Sequence, residues 1–517
     1  MITVLLLLAA GGILAWGFAK AKPFGTPGIL AWLQTVVLMG PWLLFFGLSA
    51  AGIYLNLAGI LLLVVASAGA YIFLGRRLRQ AGRAELSLKE TALESDAAET
   101  SPSADALEEP PAEGTTSAGA EESGLSATAG SSTEPVESAA AEPLETKQSP
   151  IPAEDLAVIE GIFGIDTFFR TKSVPYQEGA IFKGNLRGQP DQTAEVLSEK
   201  LADKLGDRYC SFLLADPENK PVVVVLPSKN GPQPASRAQR GLAVALAIAT
   251  FATCLETASL LQRFDIFQSP ERWPEALPIA LGITGVLAAH EIGHRVIASR
   301  QQVKISPPFF LPAWQLGAFG AVTRFESILP NRSVLFDVSL AGPAAGGILS
   351  FVFLFVGLVL SHPGSLFQLP AEFFQGSILV STLARIVLGD ALQADLVDVH
   401  PLLVVGWIGL IITAINVMPA GQLDGGRVVQ AIYGRKTLIR TTTVTILLLV
   451  LVGLFNPLAL YWAVLIVFLQ RQPERPCTDD LTEPDDTRAI LALLALFLTL
   501  LVLLPLTPSL AGRLGIG

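Results

Sequence analysis

The chain has 517 residues, of which 51% are hydrophobic and only 15% charged, and its mean hydropathy of +0.53 excludes a single soluble globule and points to a membrane protein. The net charge of −10 is local, because residues 84–150 are rich in Glu, Ala, Ser and Pro with almost no Lys or Arg while the rest is nearly neutral, so no basic surface for nucleic acid is indicated. Three cysteines, Cys210, Cys254 and Cys477, stand far apart without CxxC spacing, which excludes a disulfide framework and a thiolate zinc site.

The run Ile2 to Phe18 is apolar and ends at Lys20 and Lys22. It lacks a basic leader, and two further apolar runs follow, Gly28 to Ser49 and Ala51 to Leu74, each near the length of about 20 residues that spans a bilayer. The reading is therefore three N-terminal spans within 1–75 rather than a signal peptide. Arg76, Arg77, Arg79 and Arg83 follow, and the positive-inside rule puts them, with Lys20 and Lys22, on the cytoplasmic or stromal side.

The stretch 76–150 cannot bury enough apolar surface to offset its chain entropy and reads as an acidic, disordered tether. From 151 to 235 the composition becomes that of a small soluble α+β domain. Helical spacing is expected over Asp155–Phe163 and Asp191–Leu205, and strands over Ser211–Leu214 and Val222–Leu226. Between the two helices, Gly184-Asn185-Leu186-Arg187-Gly188 reads as a glycine-bracketed turn exposing Arg187, for which plain solvation is the ordinary fate.

The hydrophobic half runs from 236 to 517. Gly241–Gln262 is one span, with Cys254 and Glu256 inside it; Ala276–Ile297 is the returning one, and it holds His290, Glu291 and His294 in the order H-E-x-x-H. On a helix, residues four apart lie nearly above one another, so both imidazoles can reach one zinc ion while Glu291 projects beside it towards a water on the metal. Two of the chain's four histidines thus sit at ligand spacing inside a segment where ionisable groups each cost roughly 2.5 kcal/mol or more, which makes them a functional hypothesis by default. A bland reading, a buried histidine pair bonded to main-chain carbonyls, competes with it. At 1.5 Å per residue His290 lies roughly 20 Å along the returning helix, near the cytoplasmic face and below the membrane surface.

Ser306–Pro330, with Pro307, Pro308 and Pro312 before a glycine-rich stretch and a strand-like Val322–Phe325, reads as a re-entrant hairpin able to hold an unwound substrate strand by edge pairing. Phe336–Leu360 is the next span, with Gly342-Pro343-Ala344-Ala345-Gly346-Gly347 as a small-residue face. Ser361–Asp398 reads as an outer loop carrying His362, Asp390, Asp395 and Asp398. His400-Pro401 opens a span to Val417, and its position at the far face removes His400 from the ligand set. Pro419 and the glycines of 416–426 then break the helix and bring Asp424 to the depth of the histidines, where a carboxylate completes a catalytic zinc with three protein ligands. Asp424 as a plain helix cap is the alternative. Thr441–Leu469, interrupted at Asn456-Pro457, is either one kinked span or a tight hairpin, and Ala489–Leu504 is a last span.

HEIGH at 290–294, AGPAAG at 341–346 and NVMPAGQLDGG at 416–426, in that order between hydrophobic spans, resemble the site-2 protease family of intramembrane zinc metalloproteases. FGIDTFF at 163–169, PYQEGAIFKGNLRG at 175–188 and DVHPL at 398–402 resemble its cyanobacterial and chloroplast branch, and the match covers roughly 150–510. The resemblance implies a polytopic α-helical membrane protein of about eight or nine transmembrane helices, a small soluble α+β domain inserted after the N-terminal spans, and a metalloprotease domain over 236–517. It implies a hydrolase that cuts transmembrane segments of membrane proteins within the bilayer, with His290, His294 and Asp424 as ligands of Zn2+, Glu291 as catalytic base, and Asn416 as a polar residue facing the site that polarises the scissile carbonyl. Home would be the plasma or thylakoid membrane of a cyanobacterium, or a plastid membrane, with the active site near the cytoplasmic or stromal side. Two other classes stay open: a zinc-binding scaffold or chaperone for membrane-complex assembly, which needs no base, and a metal transporter, which needs ligands spread along a path.

Overall fold

The computed structural model comprises two compact units, Met1–Ala141 and Glu142–Gly517. It describes residues 151–506 apart from 177, 217, 315, 455 and 468–471, together with short stretches within 15–37 and residues 70, 74 and 77. The three expected N-terminal spans lie largely, and the acidic tether apart from Arg77 wholly, outside the described residues. Within the first unit, Phe18 and Trp32 meet edge to face at 4.9 Å on either side of the short turn Lys22–Phe24.

The second unit begins with the soluble domain. Helix α1 (Ala153–Glu160) and α2 (Pro190–Leu205) flank a four-stranded antiparallel sheet of β1 (Phe168–Tyr176), β2 (Gly179–Leu186), β3 (Tyr209–Ala215) and β4 (Pro221–Pro227), in spatial order β1-β2-β4-β3. Leu197, Leu201 and Leu205 recur every four residues along α2 and pack with Ile159, Phe168, Phe182, Val223 and Val225 into one core. The unbroken valine run of β4 is explained by burial on both faces: Val223 and Val225 point at the helices, while Val222 and Val224 join Phe212 and Ile328 on the other side.

Strands β1 and β2 were not expected. GNLRG is not a turn: Gly184 to Leu186 close β2, and Arg187 leaves its end, with its N–H donating to Thr167 O. Gly184 sits opposite a register shift between Arg170 and Lys172, so close to the main chain of Phe169 that no side chain fits.

The membrane part contains α3 (Arg237–Leu261), α4 (Trp273–Arg300), α5 (Arg332–Val359), α7 (Pro401–Asn416), α8 (Asp424–Val452), α9 (Pro457–Leu465) and α10 (Asp486–Leu503). By length and composition, four of the described helical segments are fit to cross a membrane, namely α3, α5, α10 and the Pro270–Arg300 segment that contains α4, and α7 is a shorter apolar helix. Between α4 and α5 the re-entrant hairpin is present as β5 (Phe309–Ala313) paired with β6 (Gly317–Val322). Its turn is tied to α3, since Thr253 Oγ1 donates to Gly317 O and Thr257 Oγ1 to Trp314 O.

The segment 361–398 is more ordered than a loop. β7 (Phe367–Pro370) pairs with β8 (Leu396–Val399), and α6 (Ile378–Leu388) buries Val380, Ser381 and Ala384 against the helices. Ile378 N donates to Leu504 O and Leu506 N to Gln375 O, so this cap fastens the end of α10. Two of the acidic residues noted there serve the segment itself, Asp398 accepting from Gly364 N at 2.6 Å and from Gln368 Nε2 at 2.8 Å, and Asp390 lying 3.5 Å from Arg385 Nη1.

The described residues of 441–467 form a reversal, not one kinked span. Leu458, Tyr461 and Leu465 of α9 fold back on Ile446 and Leu449 of α8, with Asn456 capping α9 through Leu458 N. The chain from Gln472 to Asp485 accordingly returns to the soluble domain, where Thr478 O accepts from Leu213 N and Asp480 N donates to Leu213 O. This strap adds one more extended segment to the free edge of β3.

Candidate metal centre

The centre is built where α4 crosses α5. Gly293 lies against the main chain of Ala341, and Gly342 faces the ring of His294, so that small residues on both helices let the backbones approach closely. His290, Glu291 and His294 are all buried on α4. His294 Nδ1–H donates to Val338 O at 2.7 Å, which fixes the tautomer and leaves Nε2 with a free lone pair.

The third participant arrives from the opposite direction. After Asn416 the chain turns through Pro419 and Gly421 and restarts as α8 at Asp424. Gly425 packs directly on the carbonyl of Val417, a contact that leaves no room for a Cβ. The capping position belongs to Leu423, which makes no side-chain cap, so the Asp424 carboxylate is free of that duty and points at the histidines. His290 Nε2 and His294 Nε2 are 3.2 Å apart, and Asp424 Oδ2 lies 3.1 Å from the first and 3.4 Å from the second.

That triangle fits a metal. With ligand bonds of about 2.0–2.1 Å, tetrahedral coordination places two N or O ligands about 3.3 Å apart. Two imidazoles and a carboxylate are also the donor set of an open catalytic site rather than a closed structural one. Among the described residues this is the one group of His, Cys, Asp and Glu side chains close enough to share an ion.

Glu291 stands outside the triangle, and its Oε2 accepts from Thr323 Oγ1 at 2.9 Å. Asn416 is buried near the centre, yet both of its amide hydrogens go to main-chain carbonyls, Phe319 O at 2.9 Å and Ile412 O at 2.8 Å. It therefore pins β6 beside the histidines, aided by Gly320, whose positive φ of 113° brings the strand against the amide. His400 lies at the far end of α7, where Nδ1 accepts from Leu402 N at 3.2 Å.

Two residues of the centre were not anticipated. Thr323 follows β6 and reaches the Glu291 carboxylate only because the hairpin returns there. Arg427 is buried one turn after Asp424, donating from Nη2 to Thr323 O at 2.8 Å and approaching Asp424 Oδ1 to 4.0 Å. The one sequence signal was its i,i+3 spacing from Asp424, which shares a helix face with it.

Comparison with known proteins bears on this geometry. Family models match in two places: the EGY3 middle domain over residues 157–234, which brackets the sheet, and peptidase family M50 over residues 278–456, which brackets His290, His294 and Asp424. The chain is 39% identical over 368 residues to the probable zinc metalloprotease EGY2, chloroplastic, of Arabidopsis thaliana, covering 69% of this chain and 66% of the relative. It is 36% identical over 403 residues to the probable zinc metalloprotease EGY1, chloroplastic, of the same plant, covering 71% and 74%. To the probable zinc metallopeptidase EGY3, chloroplastic, it is 31% identical over 373 residues, covering 67% and 65%. The match thus spans just under two thirds of the EGY2 and EGY3 relatives' own lengths. No solved structure matches the chain.

Proposed function

The chain belongs to the M50 peptidases, the site-2 protease family, and from that premise we propose that it is a zinc metalloendopeptidase that cleaves transmembrane segments of membrane proteins within the bilayer. The observation that carries the proposal is the His290, His294 and Asp424 triangle with a separate buried carboxylate, Glu291, beside it. A scaffold needs the triangle alone; hydrolysis needs both.

His290 Nε2, His294 Nε2 and Asp424 Oδ2 would hold the zinc. When bound, zinc supplies Lewis acidity towards a water molecule and the scissile carbonyl. Glu291 takes the proton of the attacking water and returns it to the leaving amide nitrogen, and the Thr323 hydroxyl orients the carboxylate for both transfers. Asn416 acts by fixing β6; to polarise a substrate carbonyl it would have to exchange one of its two bonds. The hairpin and the buried helices exclude bulk water, which strengthens every polar interaction inside. Substrates would be membrane proteins, and the site would lie on the cytoplasmic or stromal side, in a plastid membrane as the chloroplastic relatives favour, or in the plasma or thylakoid membrane of a cyanobacterium.

The test is Glu291→Gln in the full chain reconstituted with a membrane-anchored substrate. Zinc content should equal that of the parent while cleavage falls by at least about a hundredfold, the low end of general acid–base catalysis. Equal cleavage by both proteins would overturn the proposal, and full complementation of a deletion strain by the Gln variant would put the scaffold in its place.

A further inference from the structure

On the soluble side of the metal centre a cavity of about 520 Å³ opens between the sheet and the chain that leaves the re-entrant hairpin. Its lining is mixed, with Phe212 and Leu226 from the sheet and Ile328 and Leu329 supplying apolar surface among polar and charged groups. Gln422, two residues before Asp424, lines both this cavity and the small space at the centre bounded by His294, Thr323 and Asn416. The two share this side chain in their walls, which places the cavity next to the centre.

Four ionic side chains line the cavity, and they are not equivalent. Glu474 is paired with Arg427 at 2.9 Å, whereas Glu326 accepts from the uncharged Ala235 N–H at 2.8 Å and keeps its charge, so the two arginines, Arg324 and Arg475, face one uncompensated carboxylate and outnumber it. Arg475 Nη1 donates to Asn230 O at 2.9 Å, and Arg324 leans over the Phe309 ring at 5.4 Å. Neither arginine is in an ion pair with a described residue. Both guanidinium groups therefore offer donors to an incoming carboxylate, in a cavity of the size that ligand sites have.

We propose that this cleft is a specificity subsite that receives the soluble-side flank of the substrate as an extended peptide, with acidic side chains set against Arg324 and Arg475. The inference rests on the proteolytic reading of the neighbouring centre. It makes the soluble domain one wall of the substrate path, and it makes the charge next to the transmembrane segment a determinant of which membrane proteins are taken.

The experiment uses the full chain carrying Glu291→Gln in nanodiscs of neutral phosphatidylcholine, so that binding is read without cleavage. Fluorescent peptides share one apolar transmembrane segment and differ in a six-residue flank that is acidic, neutral or basic. The acidic flank should bind about fivefold tighter than the neutral one, the upper end for an exposed ion pair, and the basic flank weaker still. Arg324→Glu with Arg475→Glu should reverse that order. Equal binding of acidic and basic flanks, or an order that survives the charge reversal, overturns the proposal. So does a result in which the arginines matter only in nanodiscs containing phosphatidylglycerol, which would assign them to a lipid headgroup. If the intact Glu291 protein cleaves none of the peptides while the binding order holds, the proteolytic reading fails and the cleft stands.

Discussion

Arg427 and Glu474 form a buried ion pair 2.9 Å apart, joining the helix that begins at Asp424 to the strap that runs along the soluble domain. Both are nearly removed from solvent, at 5% and 8% exposure. Arg427 also donates to the carbonyl of Thr323, whose hydroxyl holds Glu291, so one guanidinium links the strap, the hairpin and the neighbourhood of the metal centre.

Removing one member of a buried pair leaves the other charge unpaired, at a cost of about 3–5 kcal/mol. Glu474→Ala and Arg427→Met should therefore each lower the thermal unfolding midpoint in detergent, since each leaves the other charge buried and unpaired. The Met variant should in addition lose cleavage, because Thr323 and the Asp424 carboxylate lose a shared partner. A Glu474→Ala protein as stable as the parent would show that the pair contributes nothing.

The crossing of α4 and α5 makes a second prediction. A methyl group on Gly342 would overlap the ring of His294, whereas one on Gly347 meets only Thr413 Cγ2 at 3.4 Å, an ordinary contact. Gly342→Ala should lose most of its zinc by metal analysis after gel filtration, while Gly347→Ala retains it. Equal zinc in the two would contradict the packing described for the centre.

The third concerns the ligand set. His294→Ala or Asp424→Ala leaves two ligands, which hold the ion far more weakly. The parent should carry about one zinc per chain, and either variant should lose nearly all of it during dialysis against a mild chelator. Full retention by Asp424→Ala would remove the carboxylate from the set.

How much of this was legible in the sequence differs by the range of the interactions. His290 and His294 were readable because helical spacing alone puts them on one face. Asp424 needed more, namely the helix break at Pro419 and Gly421 and a donor type that zinc accepts. Thr323 and Arg427 were not readable, because their meeting depends on where β6 ends relative to α8, a tertiary fact no local pattern carries. The β1–β2 hairpin was hidden by Gly184, whose role is close approach across a bulge and not a turn. The outer cap was missed because α6 has 11 residues, too few to span a bilayer, and its burial comes from α10 far along the chain.

The last prediction reads the docking of the strap directly. Cys477 lies three residues after Glu474, is 0% exposed and packs with Val334, Leu335 and Ala431, while Cys210 in β3 is half-buried. Burial, and after it the carboxylate of Asp480, pushes the Cys477 thiol up, so the fraction present as reactive thiolate at any given pH is below that of an ordinary cysteine. In a Cys254→Ala background, N-ethylmaleimide at pH 8 should label Cys210 at least about tenfold faster than Cys477, whose reaction waits for local opening. Glu474→Ala frees the strap at its first anchor and should raise the Cys477 rate towards that of Cys210 without changing the latter. Mass spectrometry of labelled peptides over time separates the two sites, and a Cys477 that reacts as fast as Cys210 in the parent would mean that the strap is not held against the membrane part as described.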